Sequence, residues 1–162
     1  MRFGKTAWTC LLVLMLTIPV TVGAQTPAQA PAQAQVPMAG VIPEAEIRQT
    51  IDQYVDRFKA MDIDRFMEVF SKRAVENRMF PYADMREAYD RTFKNTNQFL
   101  YFLNILGVQS YTNSAFVNGY YEIIQTTKPD NEFKVHKGNI QWELVREEGG
   151  LKILRLNHGR VM

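Results

Sequence analysis

From Glu44 onward, apolar residues recur at helical spacing. Ile47, Ile51, Tyr54, Val55, Phe58 and Met61 fall on one face, and Arg48, Gln49, Asp52, Asp56 and Lys59 on the other. Pro43 and Glu44 suit the start of this helix. Asp62 or Asp64 can cap a short second helix that carries Phe66, Val69 and Phe70. Residues 74–80 read as a short strand, Pro81 interrupts, and Met85, Ala88, Tyr89, Thr92 and Phe93 mark a third helix. From Phe99 the period changes to two, which predicts long strands over 99–108, 114–126, 133–145 and 151–158. Three helices followed by four strands is an α+β order.

The strands can be aligned against each other. Val117, Gly119, Tyr121 and Ile123 alternate on one strand, His136, Gly138, Ile140, Trp142 and Leu144 on the next, and Leu154, Leu156 and His158 on the last. Lys128-Pro129-Asp130-Asn131 has turn composition. A hairpin centred there pairs Glu122 with Lys137, Val117 with Trp142, Gly119 with Ile140, Tyr121 with Gly138 and Ile123 with His136. Glu148-Gly149-Gly150 marks the next turn. One bulge there pairs Trp142 with Leu154, Ile140 with Leu156 and Gly138 with His158. A slip of one residue would turn these apolar sets outward. The opposite face carries Phe116, Tyr120, Ile124, Val135 and Ile153 among polar residues. An outer face this apolar predicts a partner surface and a homodimer through the sheet.

The first 43 residues are of a different kind. Arg2 and Lys5 precede an uncharged stretch over residues 7–22, and Val22-Gly23-Ala24 supplies small residues. This pattern predicts a secretory signal cleaved after Ala24, and hence a secreted or periplasmic protein; the alternative is an uncleaved anchor, for which the apolar run is short. Residues 25–43 carry no charge and are dominated by Ala, Gln and Pro, the composition of a disordered tether. The folded domain is then 44–162. Cleavage lowers the formal charge from +2 to zero, which speaks against nucleic-acid binding. It also removes Cys10, the only cysteine, so no disulfide or thiol chemistry is expected. No stable membrane insertion is expected after cleavage. Ten Phe, seven Tyr and two Trp make an ordinary aromatic core plausible.

The segments IDQYVDRFKAMDIDRFMEVFSKRAV and GNIQWELVREEGGLKILRLNH resemble the nuclear transport factor 2-like superfamily, which includes SnoaL-like polyketide-cyclase-like proteins and ketosteroid isomerases. The resemblance covers about 44–158. It implies three N-terminal helices packed in the concave face of a curved, four- to five-stranded antiparallel sheet, a cone with an internal pocket. Against the ketosteroid isomerases, Tyr54 falls at the oxyanion-binding tyrosine, the general-base position falls on Arg78, and the protonated-aspartate position falls near Ile140. Arginine cannot serve as that base, so the isomerase mechanism does not carry over.

Candidate chemistry gathers around His136, His158 and Tyr121, which could share a proton relay; His136 is placed diagonally to His158. The two histidines could equally sit at a strand end and bond water or backbone. No third ligand is visible on their face, so no metal is expected, and no cofactor motif is present. Arg78 and Tyr54 form a second candidate pair, for a ligand carboxylate and a carbonyl, with a solvated arginine and a core tyrosine as the plain alternative. Phe58, Phe66, Phe70, Tyr101 and Trp142 could line an apolar cavity or simply form the core. The favoured function is an exported module binding a small apolar or carboxylate-bearing ligand without catalysis. The alternatives are a SnoaL-like cyclase, dehydratase or isomerase using His136 or His158 as general base, and a dimeric envelope-assembly module.

Overall fold

The computed structural model describes residues 40–159. The expected signal over 1–24 and most of the expected tether lie outside the described residues. The elements in chain order are α1 (Glu44–Ala60), α2 (Ile63–Met67), β1 (Phe70–Glu76), β2 (Phe80–Pro81), α3 (Tyr82–Lys94), β3 (Thr96–Ser110), β4 (Ser114–Thr127), β5 (Phe133–Glu147) and β6 (Gly150–His158). One sheet holds all the described strands in the order β2-β1-β6-β5-β4-β3. Neighbours are antiparallel except β1 and β6, which run parallel.

Local chemistry accounts for the helix boundaries. α1 opens on Glu44 and Glu46 and closes on Arg57 and Lys59, charges that suit the two ends of its dipole. Met61, at φ 55°, reverses the chain, and the Asp62 side chain accepts from the Asp64 and Arg65 amides to cap α2. The apolar stripe of α1 packs Ile47, Ile51, Tyr54 and Phe58 against Val117, Trp142, Leu144 and Leu156 in one buried core. The core begins before α1. Ile42 is buried, its amide donates to the Tyr111 carbonyl, and its carbonyl accepts from Ser110 Oγ. The last residues of the expected tether are therefore docked on the β3–β4 turn.

Two expectations about the sheet are corrected. The short strand expected over 74–80 starts earlier and stops sooner. Phe70, expected on α2, opens β1 by pairing with Ile153, and Asn77, Arg78 and Met79 form a turn. Asn77 and Arg78 both hold positive φ, 49° and 62°, which ends the strand at Glu76. The sheet consequently has six strands, and the β1–β6 pair makes it mixed rather than purely antiparallel.

The β4–β5 pairing matches the expected register at every pair, including Glu122 with Lys137 and Ile123 with His136. Gly119 allows a close approach there: a Cβ would meet the Asn104 carbonyl oxygen at 3.0 Å and Leu103 Cδ1 at 3.2 Å, so any side chain would push these neighbours back. The β5–β6 register differs. Glu147 pairs directly with Gly150, so Glu148-Gly149 is a tight two-residue turn, with Gly149 and Gly150 at φ 89° and 123°. The bulge sits mid-strand instead, where Leu144 faces Ile153 and Glu143 faces Arg155, leaving Leu154 as the extra residue. Ile153, expected on the outer face, is fully buried, and Leu154 is not. Beyond the bulge the parity inverts, so Leu156 and His158 point inward after all. They pair with Trp142 and Ile140, two residues further along β5 than expected.

Arg146 ties the β5–β6 end of the sheet to α1 with two hydrogen bonds to Glu46, each 2.8 Å. The guanidinium holds the Glu46 carboxyl below the usual carboxylate range. A carboxyl depressed in the folded state stabilises the fold above its unfolded pKa and ceases to do so as pH falls through the folded value. Thermal melts of the wild type and Glu46→Gln should therefore differ at neutral pH and converge below about pH 4. A gap that persists unchanged into acid would exclude this linkage.

Candidate functional site

A cavity of about 340 Å³ lies between the inner face of the sheet, α1 and α3. Phe58, Met85, Ala88, Ile123 and Ile140 give it apolar walls, and Phe80 stands at its rim, 44% exposed. The polar groups come from strands, helix faces and the turn after β1: Tyr54, Tyr89, Tyr101 and Tyr121, then His136, His158, Glu76 and Asn77. A mostly apolar wall with a few convergent polar groups is the usual form of a small-molecule site.

The polar centre is a carboxylate–imidazole pair. Glu76, the last residue of β1, is 9% exposed, and its Oε1 bonds to His158 Nε2, near the end of β6. The parallel β1–β6 pairing brings these two together. Asn77 fixes the arrangement from the next position: its amide donates 2.8 Å to the Leu156 carbonyl, and its Oδ1 accepts 2.9 Å from the His158 amide. The Tyr121 ring stands edge-on to the imidazole, 6.2 Å between centroids.

Tyrosines fill the wall around the pair. Burial first, and then the Glu76 carboxylate, push the Tyr89 hydroxyl well above its ordinary value. Burial, then Tyr101, does the same to Tyr54, and burial likewise raises Tyr101. All three phenols are consequently protonated donors at neutral pH. The Tyr101 hydroxyl is buried without a well-formed hydrogen bond, although the Tyr54 hydroxyl acts on it. An orphaned hydroxyl in a cavity wall calls for an explanation, and a ligand oxygen would supply one. Tyr101→Phe should leave the melting temperature unchanged or higher, because the orphan is removed, and should weaken ligand binding by roughly tenfold, the worth of one buried hydrogen bond. Equal ligand affinity in the variant would show that this hydroxyl makes no such bond.

His136 is held differently. Thr96 Oγ1 donates 2.7 Å to the Thr92 carbonyl and accepts 2.7 Å from Gln125 Nε2, which turns Gln125 Oε1 toward His136 Nε2 at 3.3 Å. That amide orientation makes His136 Nε2 the N–H donor of the contact.

Among the residues expected to form a site, Tyr54, Phe58, Tyr101, Tyr121, His136 and His158 all line this one cavity. The expected diagonal contact between the histidines is corrected by the β6 register: His158 pairs with Ile140, four residues along β5 from His136, about 14 Å at the strand rise. Phe70 and Trp142 lie behind the wall, their rings 6.0 and 5.8 Å from that of Tyr54. Arg78 is on the exposed turn after β1 and does not line the cavity, so it is not a partner of Tyr54. The sequence reading missed Glu76, Asn77 and Tyr89. Ala74 and Glu76 share the buried face of β1 at period two, which is the signal that could have marked the carboxylate. Among the described residues no cluster of three or more His, Cys, Asp or Glu could hold a metal ion, and no helix is long and apolar enough to cross a membrane.

No family model matches the chain, and no curated protein matches it. Solved structures do. A proposed aromatic ring hydroxylase from Novosphingobium aromaticivorans matches with a TM-score of 0.65 and 23% identity, over 75% of this chain and 92% of that one. A ketosteroid isomerase-like protein from Erwinia carotovora atroseptica matches with a TM-score of 0.63 and 19% identity, over 73% and 95%. A nuclear transport factor 2-like superfamily protein from Salmonella enterica serovar Typhimurium matches with a TM-score of 0.65 and 15% identity, over 74% and 91%. At these identities the likeness speaks to architecture, and the helix-filled, curved, open sheet agrees with it. The chain has the fold of the nuclear transport factor 2-like superfamily.

Proposed function

We propose that this protein is an exported, cofactor-independent acid–base enzyme, an isomerase or lyase, acting on a small and mostly apolar molecule held in the cone. The observation that carries the reading is the Glu76–His158 pair inside an aromatic-walled cavity. A carboxylate oriented by an imidazole N–H can take a proton from substrate and return it, and a buried site strengthens that exchange. The tyrosine hydroxyls are the donors for the oxygen on which charge develops. An isomerase returns the proton to another carbon of the same molecule; a lyase delivers it to a departing hydroxyl, which leaves as water. The sequence favours a non-catalytic module because the general-base position falls on Arg78; Glu76 supplies a carboxylate elsewhere in the pocket wall and supports the catalytic reading instead.

Native mass spectrometry of the protein purified gently from its own host would read a retained small molecule. The expected result is that the wild type converts this molecule, or exchanges one of its carbon-bound hydrogens with deuterated solvent, and that Glu76→Gln does neither. A retained molecule returned unchanged and unexchanged by the wild type would leave a binding protein and overturn the catalytic reading.

A homodimer through the outer sheet face is part of the same proposal. Leu100, Ile124 and Val135 stand in one row across β3, β4 and β5, with exposed Phe102 and the Glu122–Lys137 pair in the next. A twofold axis running along the strands between β4 and β5 would set Glu122 of one copy against Lys137 of the other. Light scattering should give a dimer for the wild type and a monomer for Val135→Glu; a monomeric wild type at high concentration would remove the dimer.

A further inference from the structure

The outer face of the sheet has a second, polar half. Gln109, Phe116, Glu143 and Arg155 stand side by side across four strands. The adjacent row is Gly107, Asn118, Gln141 and Asn157. Each row spans about 14 Å at the usual strand spacing. The β3 bulge between Ile105 and Gly107 and the β5–β6 bulge at Glu143/Leu144 border this region, and bulges bend the strands that carry them. A depression of about 510 Å³ lies over the two rows, with Arg78 at its β1 end. Arg78 keeps φ 62°, a conformation unusual for a non-glycine residue, and no ion pair involves it among the described residues.

We infer that this platform binds a carboxylate-bearing oligosaccharide. Side-chain amides both donate and accept, as sugar hydroxyls do, and three of them align in one row here. Arg155 is bound to Glu143 at 2.7 Å, a pair that also presents both a donor and an acceptor. Phe116, 39% exposed, offers a ring face to the C–H side of a sugar at the opposite end from Arg78. The uncommitted guanidinium is the complement of one carboxylate. Other ligand classes fit less well. The backbone groups of β4, β5 and β6 are engaged on both sides by neighbouring strands, so an added peptide strand has no ladder to join here. Nucleic acid would need several cations where the platform has one unpaired.

The test is a titration of the purified, isotopically labelled protein with a uronic acid tetramer and, in parallel, a neutral glucose tetramer, read by amide and side-chain NMR shifts. The acidic tetramer should shift the Asn118, Gln141 and Asn157 amides and leave the cavity resonances of His158 and Tyr121 in place. Arg78→Gln should weaken it by about tenfold, the loss of one charge-assisted hydrogen bond, without affecting the neutral tetramer. Gly107→Trp should abolish binding, since nothing lies within 4 Å of a Cβ built at Gly107 and the ring would cover the platform. If that variant loses its dispersed spectrum, Gln141→Ala, at an exposed position, takes its place and should weaken binding. No shifts with the acidic tetramer, equal affinity for both tetramers, or binding that survives the variants would each overturn the inference.

Discussion

Glu76→Gln is expected to lower turnover by about 10²- to 10⁴-fold, the range of a lost acid–base group, while ligand affinity stays within a few-fold of the wild type. Glutamine matches the shape of glutamate, and its carbonyl oxygen can still accept from His158 Nε2. The variant thus keeps the contact that joins β1 to β6 and loses only the ability to hold a proton. The separation of kcat from binding is what identifies a group acting in the transition state rather than in ligand recognition. His158→Ala should lower turnover too, but it also leaves the Glu76 carboxylate buried without its imidazole, so a lower melting temperature should accompany it. If Glu76→Gln weakened binding and turnover by the same factor, Glu76 would be a recognition residue and the acid–base role would fall.

The second large effect is on stability. Phe66→Ala should cost about 3–5 kcal/mol, the usual range for deleting a fully buried aromatic ring. Phe66 is fully buried. Its ring meets Tyr54, Phe58, Phe70, Tyr89 and Phe93 at centroid distances of 4.9–5.6 Å. α2 has only five residues and little helical stability of its own, so this ring is what fixes it to α1, β1 and α3. Chemical denaturation should show a lower midpoint at unchanged slope, and melting should shift down by at least about 10 °C. A cost below about 1 kcal/mol would mean that the aromatic cluster closes over the gap, contrary to the dense packing seen around it. Because Tyr54 and Tyr89 also line the cavity, the same cluster forms its floor.

Much of this architecture was legible because periodicity reports burial directly. The 3.6-residue spacing of α1 and α3 and the two-residue alternation of β4 and β5 each specify one buried face, and the Glu122–Lys137 pairing confirms the register independently. β6 was harder. Its apolar residues satisfy two phases, Leu151 and Ile153 before the bulge and Leu156 after it, and only the paired strand shows where the phase changes. β1 was harder still. It pairs in parallel with the last strand, so nothing near it in sequence reveals the contact. For the same reason the sequence does not reveal Glu76: its partner His158 is distant in the chain, and a buried carboxylate looks like a surface one until its partner is known. Arg78 is misplaced by the sequence pattern because β1 ends at Glu76, four residues before the expected 80, which leaves this side chain on an exposed turn.

The parallel β1–β6 pair has a consequence for how the site comes into being. Glu76 ends β1 and His158 ends β6, so the pair cannot form until the chain has been made through β6. The helices and the β3–β4–β5 meander can form from neighbouring segments, whereas closure of β6 onto β1 must span the whole domain and is entropically the most demanding step. The pair on which the proposed chemistry rests therefore arrives together with completion of the sheet, and a chain folded only as far as β5 carries aromatic walls without the carboxylate–imidazole centre.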